Sequence, residues 1–477
     1  MTQGVEPAVR LQHRRALGLV FIMYLAILSI DAIRKMVGIS SGIIGVLYAL
    51  TFLVYIFAPP KTGDREQAVP RFLPLCLILL SLWCLANAII LRIPAQVALL
   101  GWASYVFFVP LFYVGANLMV EDRQATKALR VAAAGGAVVG VGAIASALLG
   151  SSAPTLLQPI IPAVGVHSFN ATSIYLAPSI FADAQEASQQ LLIALFAWTA
   201  LADLPSGGLR RPSSAVLGVL IVGGLIATEG RAVIYIAVAG IVALQILSHI
   251  SPPSRGGQLA SRTAMVARRP LGVTLMLAFA GSIAIVSFLG ASTFASFLTS
   301  GSPTARLTGM FSQPYSDALI GQGLGTSTQG ANLVGATFFN GVNGLGPYQG
   351  FIIAGRTFIT TEGGLSKTWL ELGILGVVIY GLIFFLVLSP AIVSLPRLDG
   401  SGRALTILAV GLGIVFLKNH QSLDNPLVQP LFWLCAGGAW GRMRALAARN
   451  QREAGTASGT VPADGHSRMP TRPAHLG

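Results

Sequence analysis

Long apolar runs recur along most of the chain, and this feature constrains its fold more than any other. Twelve runs are candidates for helices that cross about 30 Å of hydrocarbon at about 1.5 Å per residue. The sequence therefore predicts an all-α fold, a polytopic membrane protein of about twelve transmembrane helices. The runs occupy roughly residues 16–30, 38–58, 72–91, 95–119, 130–150, 187–203, 214–228, 232–249, 271–290, 366–389, 404–418 and 429–446.

The composition excludes a soluble globular protein. Hydrophobic residues make up 54% of the 477 residues and charged residues only 10%, against about 25% charged residues in typical soluble domains. The formal net charge of +14 would suggest nucleic-acid binding in a soluble protein, but most basic residues here lie in short segments between apolar runs. We therefore expect membrane lipids as partners and no nucleic acid.

The distribution of Lys and Arg predicts the orientation of the helices. If the basic N-terminus is cytoplasmic and the runs alternate in direction, 23 of the 31 Lys and Arg residues fall in cytoplasmic segments and 8 fall outside. Cytoplasmic segments of membrane proteins carry the excess of positive charge. The count predicts a multi-pass protein with both termini in the cytoplasm.

Two predicted outward segments, residues 151–186 and residues 291–365, are much longer than the others. The second lies between the ninth and tenth runs and is rich in Gly, Ser, Thr, Asn and Phe, which predicts an irregular, partly helical lid. We expect one transmembrane domain, residues 1–446, that includes both loops. Residues 447–477, rich in Gly, Ala, Arg and Pro, are predicted to form a disordered cytoplasmic tail.

Arg231 is the sharpest candidate for a functional residue. It lies in IATEGRAVIYIAV, a short break between two apolar runs, where a helix begins on the predicted outer side. A guanidinium at a helix start can bind two phosphate oxygens while the helix N-terminus adds positive potential. The alternative is an interfacial arginine paired with Glu229.

The long loop contains Arg306 and, after a short amphipathic stretch, the glycine-rich turn GQGLGT at residues 321–326. The turn has some likeness to a phosphate-binding loop, but it lacks the third glycine of the dinucleotide fingerprint and no hydrophobic strand precedes it. Arg306 and Arg356 are candidates for substrate binding. Their alternative is the ordinary one for isolated arginines, a solvated charge on a loop.

The segment FITTEGGLSKTWLELGILGVVIYG leads from the loop into the tenth run. Glu362 lies just before the apolar run, where a carboxylate above a cavity could accept a proton from an attacking hydroxyl. A charge that favours the helix macrodipole is the alternative. Lys367 lies at the same mouth and is a candidate for substrate binding, whereas Glu371, further into the helix, is expected to be a structural partner for another helix.

The segment LKNHQSLDNPLVQPLFW joins the last two runs on the predicted outer side. His420 and Asp424, four residues apart, could form a pair that handles protons, and helix capping is the alternative. One His and one Asp are too few for a metal site. The three cysteines lie inside apolar runs, with neither a disulfide pattern nor a metal-ligand spacing, and are expected to be buried small hydrophobic residues. We expect no metal and no other cofactor.

The order of these motifs resembles that of the O-antigen ligase and polymerase family, also called Wzy-like, of bacterial envelope membrane proteins. That family shows an S-R-G segment at the start of a central helix, an outward loop that opens with G-R, a G-x-G-x-G-T-like turn and a closing L-x-E-L-G-x-x-G helix. The corresponding segments here are TEGRA with Arg231, TARLTGM with Arg306, GQGLGT, and WLELGILG at residues 369–376. These motifs lie within roughly residues 214–390, and the rest of the chain is similar only in hydropathy.

The resemblance implies a glycosyltransferase of the bacterial inner membrane that uses an undecaprenyl-diphosphate-linked oligosaccharide as donor and no metal. It implies that Arg231 and Arg306 hold the diphosphate and offset the charge that develops on the leaving group. The residues that would shape the substrate cavity are Arg356, Lys367, His420 and Asp424. A chain-length regulator is an optional further partner.

One departure from the family pattern bears on the reaction. The ligases of the family carry a histidine about eleven positions before the glycine of L-x-E-L-G, and Glu362 occupies that position here. This difference favours a polymerase of lipid-linked repeat units, in which Glu362 would deprotonate the acceptor hydroxyl. Two alternatives stay open: ligation of a finished glycan to another acceptor, and transport or flipping of a lipid-linked glycan.

Overall fold

The structure is a computed structural model, and it describes part of the chain. The described residues are 46, 48–50, 53, 70, 72–120, 122–149, 184–203, 212–228, 233–234, 237–242, 319–326, 337–340, 349–353, 356–359, 364–398, 400–418 and 428–458. The predicted runs at 16–30 and 271–290 lie outside these residues, as do most residues of the runs at 38–58 and 232–249.

Helices dominate the described part of the chain. In chain order they are α1 Leu73–Ile90, α2 Ala95–Val106, α3 Leu111–Leu118, α4 Asp122–Leu149, α5 Ala184–Asp203, α6 Pro212–Ala227, α7 Gly364–Ser394, α8 Gly400–Lys418 and α9 Val428–Ser458. A 3₁₀ turn, Leu395–Arg397, follows α7.

Four helical stretches among the described residues are long and apolar enough to cross a membrane: Leu73–Ile90, Ala95–Leu118, Ala125–Leu149 and Lys367–Arg397. The shortest has 18 residues, about 27 Å at about 1.5 Å per residue, close to the thickness of the hydrocarbon core. The expectation of apolar helices long enough to cross a membrane is therefore confirmed for these four stretches.

The predicted fourth run, residues 95–119, forms two helices, α2 and α3, instead of one. Pro110 has no N–H to donate, and its ring crowds the carbonyl four residues earlier. Around it the backbone bonds span three residues, from Val109 N–H to Val106 O at 3.1 Å and from Leu111 N–H to Phe108 O at 3.0 Å. A tight turn therefore divides this membrane-length stretch.

The long loop contains a small sheet, which the sequence analysis did not predict. Strands β1 Thr337–Asn340, β2 Gln349–Ile353 and β3 Arg356–Ile359 form an antiparallel meander in the order β1-β2-β3. Phe351 of β2 is paired with Phe338 on one side and with Phe358 on the other. This part of the loop therefore differs from the expected irregular, partly helical lid, and it is a local exception to the all-α fold that the described helices otherwise support.

The last helix also differs from its prediction. We assigned residues 447–477 to a disordered tail from their composition, but α9 continues to Ser458. The segment ALAARNQREA supplies good helix formers, Ala, Arg, Gln and Glu, at the start of that stretch, and these residues extend a helix that membrane packing has already nucleated. Residues 459–477 lie outside the described residues.

The described helices pack against one another, and an aromatic cluster lies between α7, α8 and α9. Phe384 of α7 stacks on Phe432 of α9 with ring centroids 4.9 Å apart, and Phe416 of α8 lies 5.7 Å from each of these two rings. The three cysteines, Cys76, Cys84 and Cys435, are free and buried in α1 and α9, as expected.

Glycines allow α3 and α9 to approach backbone to backbone. A Cβ added at Gly437 would meet the carbonyl oxygen of Phe112 and would lie 2.8 Å from its carbonyl carbon. Gly441 faces Ala116 O and Gly115 faces Leu434 O in the same way. In a membrane, where lipid is as apolar as the side chains, such close contact supplies the dispersion energy that holds helices together.

We predict that Gly437→Ala destabilises the protein by about 1–3 kcal/mol, because the added methyl group must push α3 and α9 apart. The matched control is Gly381→Ala in α7, where an added Cβ meets nothing within 4 Å. That change should be neutral or stabilising by up to about 1 kcal/mol, since Ala favours a helix over Gly. Thermal unfolding in detergent micelles measures both variants, and equal melting temperatures would contradict the proposed close packing.

Candidate functional site

Five of the seven candidate residues lie outside the described residues: Arg231, Arg306, Glu362, His420 and Asp424. The backbone of Arg356 begins β3, and nothing is described of its side chain. Lys367 lies in the first turn of α7 and is fully buried. The described part of the site is therefore built around the start of α7 and the glycine-rich turn that precedes it in the chain.

Helix α7 is broken at Gly373, within the motif WLELGILG. Gly373 has φ 65° and ψ −167°, far from helical values, although helix continues on both sides. In an unbroken helix each carbonyl accepts from the N–H four residues later, so a break frees the carbonyls that precede it. A free carbonyl at membrane depth needs another donor, because lipid offers none.

Other segments supply those donors to three successive carbonyls. Two donors are backbone N–H groups of the glycine-rich turn, and the third is an indole N–H from α1. Gln322 N–H donates to Leu370 O at 2.5 Å, Gly323 N–H to Glu371 O at 3.3 Å, and Trp83 Nε1–H to Leu372 O at 2.9 Å.

The glycine-rich turn needs its glycines for this docking. Gly321, Gly323 and Gly325 have φ values of 81°, 129° and 79°, which side chains rarely adopt. A Cβ at Gly321 would lie 2.7 Å from the Glu371 carbonyl and from Gly373 N. The turn therefore presses its own backbone against the broken backbone of α7.

Asn87 of α1 holds the other side of the turn. Its Nδ2 donates to Ile320 O at 2.6 Å, and its Oδ1 accepts from Leu324 N–H at 2.8 Å. The side chain is fully buried. One amide group thus holds residues 319–326 through two hydrogen bonds to their backbone.

The arrangement of N–H groups argues against an anion-binding loop at this turn. A phosphate-binding loop directs successive N–H groups at its ligand. Here the N–H groups of Gln322, Gly323 and Leu324 all donate to protein oxygens instead. The turn is a structural junction between the loop and the helices.

Lys367 and Glu371 form a buried charged group with Tyr105 of α2. The two charged residues are four positions apart and therefore lie on one face of α7. Tyr105 O–H donates to Glu371 Oε2 at 2.9 Å, and Lys367 Nζ lies 5.8 Å from the centre of the Tyr105 ring, within cation–π range. All three side chains are fully buried.

This geometry confirms the expectation that Glu371 is a structural partner for another helix. Lys367 is buried among packed helices, and no contact with a substrate is observed. Substrate binding by Lys367 therefore stays a prediction. A second buried amide lies nearby, since Gln429 Nε2 of α9 donates to Ser104 O of α2. Polar contacts thus link α7 and α9 to neighbouring residues of α2.

The sequence analysis missed Trp83, Asn87 and Tyr105. Each lies inside an apolar run, where the pattern indicates only a membrane helix. Asn87 alone carried a usable signal, because an asparagine within an apolar span is costly unless its amide is bonded. Among the described residues, no group of three His, Cys, Asp or Glu side chains could hold a metal ion.

No family model matches the chain, and no curated protein shows significant similarity to it. Its function must therefore be argued from its own motifs and contacts.

We predict that Tyr105 and Glu371 are energetically coupled. Tyr105→Phe removes the hydroxyl that donates to the buried carboxylate, and Glu371→Gln removes the charge that strengthens this bond. A double-mutant cycle on the free energy of unfolding in mixed micelles should give a coupling of about 1–2 kcal/mol. Additivity of the two single changes within about 0.5 kcal/mol would show that the contact contributes nothing.

Proposed function

We propose that this protein polymerises lipid-linked oligosaccharide repeat units into an exopolysaccharide or O-antigen-like polymer at the outer face of the bacterial inner membrane. One observation carries most weight. The turn GQGLGT and the helix motif WLELGILG, two of the four segments on which the Wzy-like resemblance depends, bond directly through Gln322 N–H to Leu370 O and Gly323 N–H to Glu371 O.

This contact supports the proposal because the motifs lie far apart in the chain. Two loose matches could arise independently in a glycine-rich membrane protein. Their joining into one junction, with Gly321 against Gly373, gives the pattern a shared structural reason. The junction also ties the loop expected to handle sugar to the helices beside which the polyprenyl chain of the substrate would lie.

The contacts between helix ends agree with the predicted directions of the described helices, which belong to the proposed twelve-helix topology with both termini in the cytoplasm. The end of α1 and the starts of α2 and α7 all lie near the glycine-rich turn, and the charge count assigns these three ends to the outside. At the opposite ends, Arg442 Nε–H of α9 donates to Met119 O and Arg403 Nε–H of α8 donates to Leu395 O. The charge count assigns those residues to the cytoplasm.

The proposed reaction is the transfer of a growing chain from its diphosphate lipid to a hydroxyl of the next repeat unit. Glu362 takes the proton of the acceptor hydroxyl, whose oxygen forms a bond to the anomeric carbon of the donor. The bond from that carbon to the diphosphate oxygen breaks, and undecaprenyl diphosphate leaves. Arg231 and Arg306 bind the diphosphate and stabilise the charge that it gains.

The other candidate residues would shape the cavity around this reaction. Arg356, His420 and Asp424 are proposed to contact sugar or phosphate oxygens from the outer loops. Lys367 would contribute positive potential from within α7, since its side chain is buried. The proposed partners are membrane lipids, the lipid-linked oligosaccharide and, optionally, a chain-length regulator, with no metal or other cofactor.

Transport of a lipid-linked glycan is a second candidate, favoured by the broken helix α7, because carriers bind substrate at broken helices near the bilayer midplane. Gly373, however, lies six residues from the start of the span at Lys367, about 9 Å at about 1.5 Å per residue. The midplane lies at about 15 Å. Since protein donors also fill the three carbonyls before the break, the polymerase is the better supported proposal.

We predict that Arg231→Ala and Arg306→Ala each abolish the ladder of polymer lengths that the parent protein makes from purified lipid-linked repeat units in proteoliposomes. Arg231→Lys keeps the charge but loses the bidentate hydrogen bonds of the guanidinium, so the polymerisation rate should fall about 10–100-fold. The reaction products are separated by length on gels.

The matched control is Arg92→Asn, which removes another arginine of the predicted outer side. Arg92 has φ 53°, a conformation that asparagine tolerates, and it belongs to none of the motifs. A full ladder from Arg231→Ala would refute the diphosphate role. One-step transfer to a foreign acceptor by the parent protein would establish ligation, and flipping without transfer would establish transport.

A further inference from the structure

Gly321 and residues 323–326 are buried against three membrane-length helical stretches, although they belong to a loop that the charge pattern assigns to the outside, whereas Leu319 is exposed. Leu324 and Thr326 expose only 2% and 1% of their surface. We infer that residues 319–326 form a re-entrant segment, which enters the membrane domain from the outer side, and that Asn87 is the positioning residue that holds it there.

Three helices locate the segment below the ends of the apolar spans. It contacts α1 at Asn87, three residues before the end of its span, and α2 at Gly101, six residues after the start of its span. These offsets correspond to depths of about 4.5 Å and about 9 Å. Gly373 of α7 gives about 9 Å as well. The segment therefore reaches the outer third of a hydrocarbon core of about 30 Å.

Six backbone groups of the segment, four N–H groups and two carbonyls, are bonded within the protein. Irregular backbone is tolerated at membrane depth only when the protein itself satisfies its polar groups. Besides the N–H groups that bond α7 and Asn87, Thr326 N–H and Thr326 Oγ1–H both donate to Gly323 O, at 3.2 and 2.6 Å. Ile320 O accepts from Asn87.

Asn87 is the group that no apolar residue can replace in this arrangement. It provides both a donor and an acceptor, so a single side chain satisfies Ile320 O and Leu324 N–H together. Without it, two buried backbone groups would lose their partners at once. We therefore expect the segment to move away from α1 and α7, since each unpaired backbone group at this depth is costly.

Release of the segment would also free the carbonyls of Leu370 and Glu371. The outward part of α7, which begins just after Glu362 in the chain, would lose its fixed position. This consequence rests on the proposed function, because misplacement of a reacting group by about 1 Å can lower a rate about 100-fold. Asn87 itself is a positioning residue, not a catalytic one.

The test measures how well residues 319–326 are shielded from an aqueous reagent, independently of enzymatic activity. Cys76, Cys84 and Cys435 are replaced by alanine, Thr326→Cys or, separately, Leu324→Cys is introduced, and a membrane-impermeant maleimide is added to the outer face of spheroplasts. We expect each thiol to react about 20-fold more slowly than in the chain unfolded by a denaturing detergent, because lipid and protein bury the thiol in the folded chain. Reaction at the unfolded rate at both positions would overturn the re-entrant segment.

Asn87→Leu should raise the labelling rate at both positions about tenfold, and Asn87→Asp, which keeps an acceptor for Leu324 N–H, should raise it less. The matched control is Asn117→Leu. Asn117 is partly buried, and its Nδ2 donates to Tyr113 O within its own helix and not to residues 319–326, so the labelling rate should not change. Unchanged labelling in Asn87→Leu would overturn the role of Asn87, and Asn87→Asp serves as the test if the leucine variant does not fold.

Activity separates this inference from the proposed function. In proteoliposomes with lipid-linked repeat units, Asn87→Leu should lower kcat about tenfold while KM for the repeat unit changes less than about threefold. If the parent protein protects the thiol but makes no polymer, the polymerase proposal is refuted and the re-entrant segment is still supported. Equal losses in Asn87→Leu and Asn117→Leu would overturn the positioning role, since they would reflect general destabilisation.

Discussion

The break in α7 at Gly373 is the constraint on which the rest of the described site depends. It frees the carbonyls of Leu370, Glu371 and Leu372 in a stretch apolar enough to span a membrane, where lipid would provide no donor. The chain meets that need with the glycine-rich turn and the indole of Trp83. One unfavourable backbone feature therefore organises α1, α7 and part of a distant loop into a single junction.

The same requirement explains why small and polar residues are concentrated where the helices meet. Glycines bring backbones together at Gly437 against α3 and at Gly101 against the turn. Polar side chains occur where a backbone group or a charge needs a partner, as with Asn87 and the pair of Tyr105 and Glu371. Apolar packing fills the remainder, and it alone would leave the relative positions of these segments poorly specified.

These contacts bear on the proposed chemistry by connecting a loop to the membrane domain. The substrate of a polymerase of this kind has a lipid part and a sugar part, so its enzyme must handle both near the membrane surface. A loop fixed to broken α7 keeps its residues in register with the helices at that surface. Charge stabilisation by Arg231 and Arg306 would depend on such fixed geometry, because preorganised charges act without reorganisation during the reaction.

The sequence by itself determined the apolar helices, since hydrophobicity and length are local properties. The run predicted at 72–91 is α1, Leu73–Ile90, and the run at 187–203 lies within α5, Ala184–Asp203. Even the structural role of Glu371 was predictable, because a buried charge in a span demands a partner. The sequence pattern also identified the glycine-rich turn and the L-x-E-L-G helix as motifs, but not their contact.

Only the tertiary structure decided what those motifs do together. Gly373 lies within an apolar run, where the pattern predicts continuous helix, and its break is tolerated because donors arrive from elsewhere. Trp83 and Asn87 lie 289 and 233 residues from the groups to which they donate. No periodicity within a run specifies which distant carbonyl will lack a donor. In the sequence the glycine-rich turn therefore resembles a phosphate-binding loop, whereas in the structure its N–H groups donate to protein oxygens.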